Sequence, residues 1–252
     1  MIQINLFVSL LVFTLIGGCT GTAQHGTRTV DYLYPNSKEL IITPSTPVLT
    51  LPIRVGIAFV PGEGGGSYEH GSGKIFNSTF VLTEAKKTAL MQEVADHFKK
   101  YDFIKDFALI PSTDLSAGGS FANLDHIRNT HGVDIIALLS FDQVQFTDEG
   151  VASLTYLTIA GLYIVPGEKN DTSTLIDTVV YDIKSRKLLF RAPGTSNIKN
   201  LSTPVNLSEQ LRIDSDQGFD KAAKNMIINL EEQLARFRQK IKENPADFKV
   251  VK

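Results

Sequence analysis

The longest strand-like pattern in the chain lies at residues 133–165. It reads VDIIALLSFDQVQFT, then Asp148, Glu149 and Gly150, then VASLTYLTIAGLYIV. Both arms are rich in β-branched, aromatic and leucine residues, and turn-forming residues bound them. They are therefore predicted to be two long antiparallel strands joined by the short Gly-containing loop at 148–150. The second arm is nearly continuous apolar sequence, so a helix is the competing reading. Thr155, Tyr156, Thr158, Ile159, Tyr163, Ile164 and Val165 favour the pleated surface of a strand, and the run is too short to span a bilayer as a helix.

The remaining pattern supplies elements on either side of this hairpin. LPIRVGIAFVP at 51–61 reads as a buried strand with a proline at each side. Residues 82–101 form an amphipathic helix, with Thr83 to cap it, Glu84 in its first turn, and Leu90, Val94, Phe98 and Tyr101 on one face. FALIP at 107–111 is a short strand, and 121–131 a shorter helix carrying Leu124 and Ile127. After a polar turn at 166–172, TLIDTVVYDI (174–183) alternates as a further strand, KSRK (184–187) turns the chain, and LLFRA (188–192) returns. Phe219, Ala223, Met226, Ile227, Leu230, Leu234, Phe237 and Ile241 form the stripe of a long final helix, stopped at Asn244 and Pro245. Its last turns, with Arg236, Arg238, Lys240 and Lys242, are expected to project and to complement the helix dipole. The order of elements predicts an α/β (α+β) fold, a mixed β-sheet with a long central antiparallel hairpin, covered by helices.

The N-terminal residues carry a different signal. Leu6 to Ile16 is an apolar run of signal-peptide length, and its last residues lead into the sequence Leu15, Ile16, Gly17, Gly18, Cys19. This resembles a bacterial lipobox. The resemblance implies diacylglycerol attached to the Cys19 sulfur, cleavage before Cys19, and a further acyl chain, such as palmitate, on the new amino terminus. Met1 to Asn5 contains no Lys or Arg, so the α-amino group supplies the only positive charge of the n-region. Thr20 directly after the cysteine, in place of Asp, resembles the outer-membrane sorting pattern. Residues 20–50 mix Thr, Ser, Gly, Gln and Pro with few periodic apolars and read as a tether, within which Tyr32, Leu33 and Tyr34 are expected to dock on the domain. The division is a signal peptide at 1–18, a lipidated N-terminus and tether at 19–50, and one periplasmic domain at 51–252.

Composition and charge exclude more than they assign. At 252 residues, 42% hydrophobic and 21% charged, the chain is globular in composition, and a net charge of -2 gives no basis for nucleic-acid binding. The single cysteine excludes an internal disulfide framework. PGEGGGSYEHGSGK at 61–74 lacks the spacing of a phosphate-binding loop, since Tyr68 stands where the first glycine belongs and Ile75 follows Lys74; it reads as a surface loop. HExxH and Gly-x-Ser-x-Gly are absent. His126 and His131 fall on different faces of their helix, which argues against a shared metal. Asp142, Asp148, Glu149, Glu168, Asp171, Asp177 and Asp182 are the set from which a carboxylate pair could be drawn, although four of them sit in expected turns. No cofactor, metal or catalytic residue is expected, and binding is expected in place of catalysis.

Two resemblances bear on function. The order of elements resembles the periplasmic α/β domain of the curli secretion lipoprotein, of the Tol translocation protein and of lipoprotein activators of penicillin-binding proteins. At the level of sequence, the blocks VDYLYP, LPIRVGIAFVP, FDQVQFTDEG, VPGEKNDT, DIKSRKLLFRAPGTS and TPVNLSEQLR together resemble the rhombotarget lipoprotein family, over most of the mature chain. That resemblance implies a cell-envelope lipoprotein of bacteria carrying the rhombosortase sorting system, with no established activity. The final residues, FKVVK, lack the Gly-Gly, transmembrane helix and basic tail of a rhombosortase substrate. The expectation is a protein anchored in the outer membrane by its N-terminal lipid, facing the periplasm and binding an envelope protein. A subunit of a secretion or surface-sorting assembly, and a hydrolase whose site the sequence hides, are the alternatives.

Overall fold

The computed structural model describes residues 21–26, 28–35, 45–61, 82–149, 168–203 and 205–251. In chain order these form β1 (Gly21–Gly26), α1 (Thr29–Leu33), β2 (Val48–Thr50), β3 (Ile53–Phe59), α2 (Glu84–Phe98), β4 (Ile104–Ile110), α3 (Ser120–His131), β5 (Ile135–Glu149), β6 (Glu168–Asp182), β7 (Lys187–Ser202), α4 (Leu207–Glu243) and β8 (Lys249–Val251). The main sheet has the order β4-β3-β5-β6-β7, with β1 also paired to β5. β3 is parallel to β4 and β5, and β5, β6 and β7 are mutually antiparallel, so the sheet is mixed, as the element order predicts.

β5 is the first arm of the predicted hairpin, and a long antiparallel pair does lie at the centre of the sheet. Its second strand is not the segment predicted. β6 pairs with β5 along its full length, from Ile135↔Asp182 to Glu149↔Glu168. The other edge of β5 is taken by β3 at 135–139 and by β1 at 142–147. The predicted second arm, 151–165, lies outside the described residues. β6 begins where the sequence reads as a turn, because its inward residues there are Asn170, Thr172 and Thr174, which are buried but not apolar.

Alternation along β5 divides the core. Ile135, Ala137, Leu139 and Phe141 face the layer formed by α2 and α4, with Leu90, Val94, Phe98, Phe219, Met226 and Leu230. Ile136 and Leu138 face Leu124 and Ile127 of α3 and Tyr32 and Leu33 of α1. A strand buried on both faces needs apolar residues at every position, which is why this half of β5 shows no polar alternation. Thr83 caps α2, its hydroxyl accepting from the Lys86 amide at 3.3 Å. Gly132 closes α3 in the left-handed conformation, at φ 64°.

Parts of the expected tether belong to the domain. β1 is a strand of the main sheet and β2 pairs in parallel with β8, while Tyr32 and Leu33 dock as expected, each 2% exposed. The Tyr32 hydroxyl donates to Asn123 Oδ1 at 2.9 Å, tying α1 to α3, and its burial raises the phenol pKa. The end of α4 does not project as expected. Phe248 returns to the core against Phe237, with ring centroids 5.3 Å apart, and Lys240 lies over the Phe248 ring at 5.9 Å.

At 37 residues, α4 is about 55 Å long at ~1.5 Å per residue. It therefore matches the ~50 Å reach of the 15-residue β5. It lies close on the sheet because glycines mark both contacts. The backbone of α4 at Ala222 and Met226 sits directly on Gly194 of β7, and Gly218 of α4 faces Thr174 of β6.

Candidate functional site

Helices cover both faces of the sheet's inner half. The outer half, formed by the end of β5, the start of β6 and the end of β7, is built differently. One of its faces lies under the first turns of α4, where, beside buried Leu207, a network of polar side chains makes the contact. Gln143 Nε2 donates to Thr174 Oγ1 at 2.8 Å and to the Ser215 carbonyl at 3.2 Å. Gln145 Nε2 reaches Thr172 Oγ1, the Leu211 carbonyl and Ser215 Oγ, at 3.2, 3.0 and 2.9 Å. Ser196 donates to the Gly218 carbonyl at 2.7 Å. Asp214 is fully buried, and its Oδ1 accepts from Asn200 at 2.5 Å and Gln210 at 2.8 Å. Asp214 Oδ2, Gln143 Oε1 and Asn170 Oδ1 are buried without a partner. Amide side chains dominate because they can donate to helix carbonyls and to strand hydroxyls at once.

On the opposite face of this outer half no described helix packs over the exposed side chains. The register aligns Phe146 with Asp171 and Lys199, and Val144 with Ser173 and Asn197. Phe146 is 48% exposed and Leu201, farther along β7, 60%. Asp171 accepts from Asn197 at 2.6 Å and pairs with Lys199 at 3.4 Å, so a polar ladder runs between the exposed apolar side chains. Isolated aromatic and aliphatic residues framed by polar ones on a rigid sheet suit recognition of another surface. The free edge of β7 is capped where α4 crosses it. Asn225 donates to the Thr195 carbonyl at 2.9 Å and Asn229 to the Pro193 carbonyl at 2.5 Å, and Pro193 itself has no amide to offer a neighbouring strand.

The carboxylates singled out in the sequence are dispersed. Both oxygens of Asp177 accept from Arg191 Nε at 2.8 Å. Asp182 Oδ2 accepts from the Ser185 amide at 2.9 Å and so closes the β6–β7 turn. Asp171 belongs to the ladder just described. Asp142 shares the face of Asp177, two rows along, with one oxygen buried and without a partner. The backbones of Asp148 and Glu149 end β5, opposite Lys169 and Glu168. Cys19, Gly150 and the glycine-rich stretch beyond Pro61 lie outside the described residues. His131 pairs with Asp114 at 2.8 Å and His126 is exposed, so the two histidines do not converge. Among the described residues no group of three or more His, Cys, Asp or Glu could hold a metal ion, and no described helix is long and apolar enough to cross a membrane.

Two further electrostatic features lie away from this half. At the α2–α4 contact, Glu231 accepts from Lys100 at 2.6 Å, His97 at 2.8 Å and the Tyr101 hydroxyl at 3.2 Å. The Lys100 hydrogen bond first, then that from His97, holds its carboxyl down to about 2. On the α3 side, burial, with Tyr34 beside it, pushes the Tyr181 phenol up to about 12.

The buried polar seam is what sequence reasoning missed. A trace of it exists in the alternation of small polar residues at Asn170, Thr172 and Thr174 and at Ser196 and Ser202. That alternation has the period of a strand but not its usual apolar signature.

The architecture defines the chain as an α+β domain with a mixed sheet between helical layers. No protein-family model matches the chain, and a search of curated proteins finds no match either.

Proposed function

We propose that the chain is an outer-membrane lipoprotein of the bacterial envelope, anchored through lipid on Cys19, whose folded domain works by binding an envelope protein. The observation that carries this reading is the apolar run ending in Leu15, Ile16, Gly17, Gly18 and Cys19. Two or three acyl chains make such an anchor effectively permanent, whereas one chain, at ~0.8 kcal/mol per buried CH₂, holds only marginally. Anchoring raises the effective concentration of the domain near envelope partners, so modest intrinsic affinity suffices. The open face around Phe146 and Leu201 supports binding as the mode of action. So does the state of the described acidic residues of the hairpin: Asp171, Asp177 and Asp182 are each engaged in bonds that hold strands or turns together. The resemblance to the rhombotarget lipoproteins supports the same location.

The test is metabolic labelling with an alkyne-bearing palmitate. The wild-type chain takes up label and fractionates with the outer membrane, and Cys19→Ala does neither; a Cys19→Ala protein that still carries fatty acid removes the basis of the reading. Photo-crosslinkers at positions 146 and 201 in the native envelope then capture the partner. If the purified protein instead turned over peptidoglycan, peptide or ester substrates, and one carboxylate substitution abolished this with the fold intact, binding as the mode of action would be wrong.

A further inference from the structure

The core on the α2 and α4 side holds a cavity of about 90 Å³. Its lining is wholly apolar: Val94 and Phe98 from α2, Leu230 and Leu234 from α4, and Ala137 of β5 among the strand residues. Natural cores pack to crystal-like density and leave few voids larger than a water molecule, and this one exceeds the ~30 Å³ share of a water about threefold. An apolar void of this kind stays dry and accepts apolar atoms, as an engineered ~150 Å³ cavity accepts benzene. Space is left because Ala137, at the centre of the sheet, is the one small residue in a ring of Leu, Ile, Val and Phe.

The lining is not sealed on every side. Val55, Phe190 and, on the side at the start of β4, Phe103, Ile104 and Phe107 line the cavity and are only half-buried. Arg238 of α4 stands on that side. Its guanidinium lies 5.1 Å from the Phe103 ring centroid and 5.9 Å from that of Tyr101. The neighbouring cation, Lys100, is already committed to Glu231 at 2.6 Å. Arg238 has no carboxylate partner among the described residues. Resting on aromatic faces, it presents its donor fork beside an apolar opening, and a guanidinium in that position recognises a carboxylate or phosphate.

We propose that this cavity takes the end of an acyl chain and that Arg238 holds the anionic head group of the same molecule. The ligand class is an anionic amphiphile that offers the end of one acyl chain, supplied either as a free fatty carboxylate or as an anionic phospholipid. The volume admits a short run of methylenes or one small ring, so the rest of a longer chain lies across the Phe103 opening. The inference is independent of the lipid on Cys19, because it rests only on the folded core.

The test uses the purified full chain with octanoate, dihexanoylphosphatidylglycerol and 1-octanol as probes. Methyl NMR of Ala137, Val94 and Leu230 reports entry into the cavity, and the rise in thermal midpoint reports binding. Octanoate or the phospholipid shifts those methyl resonances, and whichever binds more tightly identifies the source. 1-Octanol shifts the same methyls but binds more weakly, by roughly threefold to fivefold, as befits the loss of one exposed ion pair. Arg238→Gln brings the anionic probes to the level of 1-octanol and leaves 1-octanol unchanged. Ala137→Leu and, from the helix side, Val94→Phe fill the space and abolish the methyl shifts. The proposal is overturned if neither anionic probe moves the cavity methyls of the wild-type chain, if binding survives both filled variants, or if Arg238→Gln affects charged and neutral probes alike. The wild-type methyl shifts decide the matter even if a filled variant fails to fold.

Discussion

Replacing Gly194 by alanine should loosen the whole α4 layer. In most strand interiors this change stabilises by ~0.5–1 kcal/mol, because alanine loses less backbone freedom on folding. Here the sign reverses. A Cβ at Gly194 stands 2.5 Å from Met226 Cβ and closer still to the Ala222 carbonyl oxygen and the Met226 amide nitrogen. Carbon contacts settle at ~3.5–4.0 Å, so α4 must retreat by about 1 Å, and no rotamer change relieves a clash with helix backbone. Overpacking of this kind costs ~1–3 kcal/mol. The retreat also strains the Asn225 and Asn229 bonds to the edge of β7, each worth ~0.5–1.5 kcal/mol. The net expectation is a loss of about 3 kcal/mol, or ~6–12 °C in Tm for a domain of this size. Urea unfolding followed by far-UV circular dichroism reads it as a lower midpoint at unchanged slope. Gly218→Ala is the internal contrast. Its nearest obstacle is the Thr174 hydroxyl at 2.6 Å, a side-chain atom, and a helix gains ~1 kcal/mol from alanine over glycine, so the net change stays within ~1 kcal/mol. A Gly194→Ala protein as stable as wild type, or two glycine variants that behave alike, would refute the reasoning.

The other expectations concern the seam, the α2–α4 contact and the open face. Asp214→Ala removes the acceptor of Asn200 and Gln210 in a buried setting and should cost ~1–3 kcal/mol, while Ile228→Ala, at a position 57% exposed, should stay within ~0.5 kcal/mol; equal effects would show that the seam carries no weight. Glu231 has a folded pKa of about 2, lowered from 4.5, so its contribution is present above pH 4.5 and is lost as pH falls towards 2. Acid unfolding should accordingly be shallower in that window for Glu231→Gln, and an unchanged acid limb would contradict the assignment. Phe146→Ser with Leu201→Ser should leave thermal stability nearly untouched while removing envelope crosslinks, and retained crosslinks would move the contact surface elsewhere.

How much of this could be read beforehand differs between the two halves of the sheet. In the inner half, burial and apolarity coincide. β3, α2, α3, the start of β5 and the second half of α4 follow from patterns such as the stripe of Phe219 to Ile241, the capped helix after Thr83 and the continuous apolar run at 135–139. In the outer half they separate. The sequence reads the returning strand only over 188–192, yet β7 continues to Ser202, with its edge carbonyls at Pro193 and Thr195 accepting from Asn229 and Asn225 of α4. α4 starts at Leu207, three turns before its apolar stripe, since those turns lie on glutamine, threonine and asparagine.

The sequence by itself determined the fold class, the first strand of the central pair and the amphipathic faces of α2, α3 and α4. Each of these is a local pattern whose period or spacing has a single physical reading. The tertiary structure alone decided that β6 partners β5, that β1 joins the sheet, that Phe248 returns to Phe237, and that Arg238 stands beside an apolar cavity. Pairing between distant strands depends on which edges remain free once the chain has collapsed. A polar residue is buried only where another element brings it a hydrogen-bonding partner, and neither condition is written in the neighbouring residues.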